Sequence, residues 1–472
     1  MKKNAFMVIS SNMLTLLVSL FMGFVLPIFL TIDDYAYFRV YQLYIAYAGI
    51  FHLGIINGIY LKYGHLNVEQ LPVNTFKRYG RAIVNMQISI AVLLMVILIL
   101  KFPQDYNTGI AYIFTIINIP LVNIKWFYSS INQFTKRFDI DSTVTYIQNL
   151  LQFLAIIAVL IMHWYSYIPL LVAITIINLL CMIAVMYQNR KIISIFGRIK
   201  EQVSEDETTI HMIKSGFFFM ISEFVAIVIL LIDSVFVQNL FTLTDFAMYS
   251  FATSIISVMY GVINTVSNLI YPYLVRVNNE KYAKYYTLMS DMLTVIALFS
   301  MLAFYVAKLI VEQINPKYEA SIEIASVLFG TVIFRTLILL VCGNYFKVLK
   351  MTSAYTKNNF FAIFLAFMLD LAAYIVFKDY KYIAYASLLT FIIWYMLTDV
   401  VFIKRLRLNL TRCVKRYICI SACLVIFYLL LNMKDLTAFI LYFIGTALIC
   451  LACFSEDIKE IMNERKISLE KE

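Results

Sequence analysis

Thr31-Ile-Asp-Asp-Tyr-Ala-Tyr-Phe38 recurs 211 residues later as Thr242-Leu-Thr-Asp-Phe-Ala-Met-Tyr249. At the same offset, and without a gap, Asn57-Gly-Ile-Tyr60 aligns with Asn268-Leu-Ile-Tyr271. Each copy of the first stretch is a short polar turn that joins one apolar segment to the next. The spacing therefore predicts a duplicated protein with two similar lobes and a ligand site between the copies.

The composition predicts that these lobes lie in a membrane. Apolar residues make up 62% of the 472 residues and charged residues 14%, too few to cover a water-soluble surface of that size. About 20 apolar residues cross the hydrocarbon core as a helix, and lipid tolerates helices because their backbone hydrogen bonds close internally. We predict an all-α integral membrane protein with fourteen transmembrane helices, at about 6–29, 36–60, 81–100, 109–131, 143–162, 166–187, 213–239, 246–273, 286–311, 320–345, 358–377, 382–403, 415–432 and 436–454.

The basic residues predict the orientation of these spans. With the N-terminus in the cytoplasm, most of the 38 Lys and Arg residues fall in the tails and cytoplasmic loops, as expected because translocated loops retain few of them. We predict a multi-pass protein of the cytoplasmic (inner) membrane with both termini cytoplasmic. The net charge of +10 follows from this bias and from contact with anionic membrane lipids, and it gives no support to nucleic-acid binding.

The repeat also predicts the domain boundaries. Residues 1–187 form an N-terminal lobe of six helices and residues 213–403 a C-terminal lobe of six. Because six is even, both lobes cross the membrane in the same direction. Residues 188–212 form a cytoplasmic linker that starts as an interfacial helix, residues 404–454 add two helices without a counterpart, and residues 455–472 form a charged cytoplasmic tail.

Several stretches resemble a known family: Asp34–Phe38 with Leu53–Gly64, Ile232–Gln238 with Asp245–Tyr249, and Asn315-Pro-Lys-Tyr318. They resemble the multidrug/oligosaccharidyl-lipid/polysaccharide (MOP) exporter superfamily, and within it the Wzx-type polysaccharide flippases of O-antigen and capsule repeat units. The resemblance covers nearly the whole chain. The sequence departs from the family pattern at Ala36 and Ala247, where the family usually has glycine after the turn aspartate.

The resemblance implies two six-helix lobes around a central cavity that opens alternately to either side. It implies a substrate, undecaprenyl-diphosphate-linked oligosaccharide, carried from the cytoplasmic to the outer leaflet for synthesis of O-antigen, capsule or exopolysaccharide. It also implies a polysaccharide polymerase and a chain-length regulator as partners. The expected motion is a rocking of the two lobes about the repeat seam.

Charged residues near mid-depth of the predicted spans mark the candidate site, because a charge inside a membrane is costly unless it meets a partner or a wet cavity. They are Lys125, Glu223, Arg335 and Asp370. Lys125 and Arg335 lie in equivalent spans of the repeat, and both residue types bind phosphate. One hypothesis is that they bind the lipid diphosphate; the alternative is that Arg335 forms an internal ion pair with Glu223 or Asp370.

Three further residues complete the candidate set. Arg39 follows the repeated turn and lies either at the cavity mouth or among lipid headgroups. Asn12 stands where the second copy has Glu223, so the two copies differ in charge. His52 is either a protonatable group or a hydrogen-bonded structural histidine. Glu223 and Asp370 are also the acids able to couple transport to a proton or a sodium ion.

The sequence argues against an enzyme. It contains no G-x-x-x-x-G-K-[ST] motif, which disfavours ATP hydrolysis, and its outer loops are too short for the site of a glycosyltransferase, polymerase or ligase. The seven cysteines have no His or carboxylate cluster beside them, so packing is favoured over metal binding. We expect a transporter with no catalytic residue, no cofactor and no metal.

Two other transporters of the superfamily are alternatives. Cation-coupled multidrug exporters typically carry an acid in their first helix, where this sequence has only Asn12, and mid-depth cations repel cationic drugs. The peptidoglycan lipid II flippase also has fourteen helices and differs from the polysaccharide flippases only by degree.

The repeated turn itself is predicted to be structural, with Thr31 or Asp34, and their counterparts in the second copy, capping the helix that follows. Gly54-Ile-Ile-Asn-Gly58 has the small-xxx-small spacing that allows two membrane helices to approach closely. The chemistry is therefore expected where the two copies differ rather than where they agree.

Overall fold

The computed structural model describes residue 10 and residues 13–190, 208–274 and 277–469. This part of the chain is helical and contains no β-strand. The helices are α1 (Met13–Phe29), α2 (Ile32–His52), α3 (Ile55–Tyr63), α4 (Val73–Leu100), α5 (Tyr106–Phe134), α6 (Phe138–Ile161), α7 (Tyr167–Gln188), α8 (Thr209–Leu240), α9 (Leu243–Leu274), α10 (Tyr282–Ile314), α11 (Ala320–Val348), α12 (Thr352–Phe377), α13 (Lys381–Leu406), α14 (Leu410–Leu430) and α15 (Asp435–Leu469).

Eleven helices of the described residues are long and apolar enough to cross a membrane, or thirteen if each of two bent pairs is one span. α1 is a shorter apolar helix. The bent pairs are α2 with α3, at 54°, and the two halves of α8, at 58°, which replace the straight spans predicted at 36–60 and 213–239. The prediction of an all-α protein with many membrane-spanning helices is confirmed.

The outer face of α4 shows why a membrane is needed. Val92, Leu93, Ile99 and Leu100 expose between 58% and 77% of their surface, and α4 carries further exposed aliphatic side chains along the same helix. A water-soluble monomer rarely exposes an apolar patch of this extent. Lipid tails are the solvent that this helix requires.

Some predicted features lie outside the described residues. These are Asn12, residues 191–207, which include most of the predicted linker and its interfacial helix, and residues 470–472. The last predicted span ends at residue 454, and the backbone does leave helical values at Phe454 (φ −123°, ψ 15°) before the helix resumes and runs to Leu469.

The chain divides into two compact units, Met1–Ser250 and Phe251–Glu472. The core of the first unit contains Ile59, Phe76, Phe127 and Ile131, and Met212 at the start of α8 belongs to it. α8 therefore packs within the first unit, against α3. The lobe boundaries at residues 188–212 stay a prediction.

Both copies of the repeated turn cap a helix, as predicted. The Asp34 N–H donates to the Thr31 hydroxyl oxygen (3.0 Å) and the Thr31 hydroxyl donates to the Asp34 carboxylate (2.6 Å). Thr242 and Asp245 repeat the two bonds at 3.2 and 2.6 Å. In the first unit Asp34 also accepts the backbone N–H of Tyr167 at 3.1 Å, which joins the start of α2 to the start of α7.

The bend between α2 and α3 depends on glycine. Leu53 and Gly54 have φ values of +49° and +83°, the left-handed region that glycine adopts at no steric cost. A Cβ on Gly54 would lie 2.6 Å from the backbone nitrogen of Phe217, and a Cβ on Gly216 would lie 2.0 Å from the carbonyl oxygen of Gly54. The predicted small-residue contact is thus confirmed, and its partner is Gly216 of α8.

The second unit is fastened by a buried ionic network around Arg416 of α14, which is fully buried. Its Nε donates to Asp291 of α10 at 2.7 Å, and its Nη1 lies 3.6 Å from Asp399 of α13. The hydroxyls of Tyr286 and Tyr417 each donate to Asp399 at 2.8 Å. The network therefore attaches α14 to two helices that precede it.

Gly216→Ala tests the contact between α3 and α8. The added methyl group meets backbone atoms, which cannot turn away, so we expect a loss of about 1–3 kcal/mol of stability and a lower melting temperature of the purified protein in detergent. Gly445→Ala is the matched control, because its Cβ would meet a methyl carbon of Ile426 at an ordinary 3.5 Å. Equal melting temperatures for both variants would contradict the close contact.

Arg416→Met tests the buried network. It leaves two carboxylates in the interior without their cation, and breaking such a pair costs about 3–5 kcal/mol. Lys381→Met is the control, since it breaks the exposed pair between Lys381 and Glu323 (2.5 Å), which is worth up to about 1 kcal/mol. Thermal unfolding should separate the two variants clearly, and a similar small shift in both would show that Arg416 does not fasten the unit.

Candidate functional site

Lys125 lies about two thirds of the way along α5 and lines a cavity of about 270 Å³ in the first unit. The cavity is bounded by α5, α6 and α7, and its lining residues are Leu121, Val122, Lys125, Trp126, Ser129, Gln133, Asp141, Thr145, Gln148 and Asn178. Most of these side chains are polar, which is unusual for the interior of a membrane domain. Gln133, one residue before the end of α5, is exposed, so the cavity reaches from Lys125 to the end of that helix.

The polar residues form a ladder between two antiparallel helices, which we call the α5–α6 ladder. On α5 they are Lys125, Ser129 and Gln133, each one turn after the last, and on α6 they are Gln148, Thr145 and Asp141 in the opposite direction. The Lys125 ammonium donates to the Gln148 side-chain oxygen, and the Gln133 amide donates to the Asp141 carboxylate at 2.9 Å. The first pair of the ladder, Lys125 and Gln148, and the last pair, Gln133 and Asp141, are therefore each joined by a hydrogen bond.

The middle pair of the ladder, Ser129 and Thr145, is not joined by a hydrogen bond, and we call it the open middle rung. Ser129 is 5% exposed, and its hydroxyl oxygen has no hydrogen-bond partner among the described residues. The next residue, Ser130, is equally buried, but its hydroxyl donates to the Phe127 carbonyl at 2.8 Å. A buried hydroxyl without a partner costs about 1–3 kcal/mol, so its position in a polar cavity calls for an explanation.

A chain of side-chain amides fixes the rung at Lys125. The Gln148 amide donates to Asn178 at 3.0 Å, Asn178 donates to Asn118 at 2.7 Å, and Asn118 donates to the Thr175 hydroxyl at 2.7 Å. The chain orients the Gln148 oxygen toward Lys125. No carboxylate of the described residues lies within ion-pair distance of Lys125, so two of its three donors remain for a ligand.

The uncharged members of the cavity were not predicted from the sequence. Serine, threonine and amide residues are common in membrane helices, and only the charge of Lys125 distinguishes this region in an apolar span. The signal that exists is periodic: Lys125, Ser129 and Gln133 recur every four residues, and Asp141, Thr145 and Gln148 recur after four and three. Such spacing places each set on one helix face.

His52 and Arg39 lie in α2 of the same unit. The His52 Nδ1 accepts the backbone N–H of Gly54 at 3.0 Å, and its ring edge packs against Trp126 with 4.9 Å between centroids. His52 therefore holds the bend between α2 and α3. Arg39 donates to Gln42 one turn later in α2 at 2.9 Å.

Glu223 lies in α8, two residues before the bend of that helix at Val225–Ile227. Its carboxylate accepts a hydrogen bond from the Asn57 side chain of α3 at 2.8 Å. The bond therefore connects the two bent helices next to their bends. Asn12, the predicted counterpart of Glu223, lies outside the described residues.

Arg335 lies in α11 of the second unit and is 4% exposed. Its guanidinium carbon lies 3.8 Å from the centre of the Tyr260 ring, and the Tyr260 hydroxyl is held by Thr331 at 2.6 Å. Arg335 forms no ion pair with Asp370, which is 1% exposed in α12, and its Nε has no hydrogen-bond partner within the described part of the chain. An aromatic face thus stabilises this buried cation.

The described residues contain no group of three or more His, Cys, Asp or Glu side chains arranged to hold a metal ion. Cys419 and Cys423 of α14 and Cys450 of α15 are buried. In the first unit the predicted site residues Lys125 and Glu223 stay candidates, and in the second unit Arg335 and Asp370 do.

Solved structures with the same fold are membrane transporters. The lipid II flippase MurJ in an inward closed conformation is similar with a TM-score of 0.71 and 13% identity, over 98% of this chain and 100% of the flippase. A multidrug resistance MATE family transporter of the MOP superfamily, in its inward-facing conformation, is similar with a TM-score of 0.62 and 11% identity, over 84% of this chain and 97% of the transporter. At such low identity these likenesses show the fold.

The family is identified by a separate comparison. No curated protein sequence matches the chain. Residues 1–278, more than half of the 472, match the family described as "Polysaccharide biosynthesis protein". This match shows that the chain belongs to the polysaccharide biosynthesis protein family.

Proposed function

We propose that this protein flips undecaprenyl-diphosphate-linked oligosaccharide units from the cytoplasmic to the outer leaflet of the cytoplasmic membrane, as a step of surface polysaccharide synthesis. Membership of the polysaccharide biosynthesis family supports the pathway, and the transporter fold supports a transport role rather than an enzymatic one. The observation that carries the proposal is the Lys125 ammonium, which faces a polar cavity inside a membrane unit with no carboxylate of the described residues in ion-pair contact.

The chemistry of the diphosphate explains such a cation. A charge removed from water needs an opposite charge, and a phosphate oxygen supplies it when the substrate binds. Arg335 gives the second unit a cation of the same kind, because it stacks on Tyr260 instead of pairing with Asp370. A guanidinium binds phosphate through parallel hydrogen bonds. In the proposal, each of these two residues contacts the diphosphate during transport.

Transport would follow alternating access, with both termini of the chain in the cytoplasm. The headgroup crosses through a hydrated path while the polyprenyl tail remains in lipid. The membrane potential is worth about 2.3 kcal/mol per charge at 100 mV, which is enough to bias the direction. Glu223 and Asp370 are the proposed groups for ion coupling, since they are the acids that the sequence places at mid-depth.

The cations Lys125 and Arg335 also favour an anionic lipid diphosphate over a cationic drug as the substrate. A positively charged drug near Lys125 would meet like charge, which is costly in a medium of low polarity. Lipid II shares the diphosphate group, so a lipid II flippase is the second candidate and is favoured by the likeness in fold to MurJ. The polysaccharide-unit flippase and the lipid II flippase differ in which glycan accumulates when the gene for this protein is deleted.

Lys125→Gln and Arg335→Gln test the role of the cations. Each loses a charge-assisted contact worth about 1.5–3 kcal/mol, which corresponds to about a 10- to 100-fold weaker interaction, so surface polysaccharide should fall strongly in a deletion strain carrying either variant. Lys125→Arg retains the charge and should keep more activity. Protein abundance is checked by immunoblot of membranes.

Lys404→Gln is the control, because Lys404 is an exposed lysine at the end of α13. Wild-type amounts of surface polysaccharide in both charge-removing variants would contradict the proposal. Lysis of the deletion strain with loss of peptidoglycan would favour the lipid II flippase, and altered drug resistance with normal glycans would favour the exporter.

A further inference from the structure

We propose that the cavity between α5, α6 and α7 is a sugar-binding subsite, which takes the pyranose ring attached to the diphosphate. The inference rests on the proposed function and adds to it the part of the substrate that this cavity recognises. Ser129 is its central residue, and the two hydrogen-bonded pairs of the α5–α6 ladder are its ends.

Ser129, in the middle of the α5–α6 ladder, points to a ligand. Ser129 lines the cavity, and its buried hydroxyl oxygen has no hydrogen-bond partner among the described residues. Native structures leave few such groups unsatisfied, and each one points to water, an ion or a ligand. A sugar hydroxyl satisfies it directly, because a hydroxyl both donates and accepts.

The side chains that line the cavity have the chemistry of a sugar site. Gln148, Asn178 and Gln133 offer amide donors and acceptors, and Asp141 offers a carboxylate acceptor. Trp126 offers an aromatic surface and is 37% exposed, suited to the apolar face of a pyranose ring. A lining of a few placed polar groups with one aromatic side chain fixes the orientation of a neutral polyhydroxylated ligand.

The volume of the cavity and the distance along α5 from Lys125 to Ser129 fit one sugar ring next to a phosphate. A cavity of about 270 Å³ lies just below the range of about 300–1,000 Å³ that holds drug-sized ligands, so it has space for one ring rather than for an oligosaccharide. Ser129 follows Lys125 by one helical turn, a rise of about 6 Å. A phosphate at Lys125 therefore places the attached sugar at the level of Ser129.

A free inorganic phosphate does not explain the cavity as well. Among the described residues that line the cavity, Lys125 is the one cation, and Asp141 lies at the opposite end of the α5–α6 ladder, where a second anion would be repelled. The neutral groups between these two ends outnumber the charges. The chemistry is that of a ligand with one anionic end and several hydroxyl groups.

The test compares two probes, undecaprenyl diphosphate and undecaprenyl-diphosphoryl-N-acetylglucosamine, by equilibrium binding to the purified full-length protein in lipid nanodiscs. In Ser129→Ala we expect affinity for the sugar-bearing probe to fall about 3- to 10-fold, the range of one hydrogen bond, while affinity for the sugar-free probe stays unchanged. Ser130→Ala is the matched control, because that hydroxyl is equally buried but bonded to the Phe127 carbonyl. It should change neither affinity.

Stability gives a second measurement. Ser129→Ala removes an unpaired buried hydroxyl, so its melting temperature should equal or exceed that of the wild type. A clear decrease would show that the hydroxyl has a structural partner and would overturn the subsite. Equal effects on both probes, or no effect on either, would overturn it as well.

Lys125→Gln separates this inference from the proposed function. If Lys125 binds the diphosphate, this variant weakens both probes to a similar degree, whatever Ser129→Ala does. A loss of both affinities in Lys125→Gln with no change in Ser129→Ala would keep the proposed function and reject the sugar subsite. Unchanged binding of the sugar-free probe to Lys125→Gln would reject the role of Lys125 itself, and the placement of the sugar would fall with it.

Discussion

A polar group inside the hydrocarbon layer must find its hydrogen-bond partner within the protein, because lipid offers none. This constraint accounts for the helices, whose backbone bonds close internally. At the exposed start of α2, the Thr31 hydroxyl oxygen accepts the Asp34 N–H. The constraint also governs every polar side chain below the surface. Some of these side chains bond to a carbonyl of their own helix, as Ser130 does, and others to a neighbouring helix, as Asn118 does.

The two units meet the constraint by different means. The first unit uses neutral amides, with Gln148, Asn178 and Asn118 bonded in series across α6, α7 and α5. The second unit uses ionic groups, with Arg416 held by Asp291 and Asp399. Neutral hydrogen bonds avoid the desolvation of charges, whereas the ionic network ties three helices through a single side chain.

Three cations have different partners: two of them, Arg416 and Arg335, are buried, and Lys125 is partly buried. This difference separates structure from proposed function. Arg416 lies between two carboxylates, so its charge is compensated within the protein. Lys125 bonds to an amide oxygen and Arg335 stacks on an aromatic ring, contacts that stabilise a cation without neutralising it. An anion is the partner that Lys125 and Arg335 would still attract.

The sequence by itself determined the helical membrane fold, the capped turn, and the positions of Lys125 and Arg335, because hydropathy, helix caps and a charge in an apolar span are local properties. It did not indicate that Arg416 is a buried cation, because Arg416 lies close to the end of its predicted span. Asp291 and Asp399 do lie inside predicted spans. Nor did the sequence indicate that the Ser130 hydroxyl has a hydrogen-bond partner while the Ser129 hydroxyl has none among the described residues. Only the tertiary structure decided the bend at Gly54, the partners of Arg416 and the open rung at Ser129, because these depend on which helix faces meet.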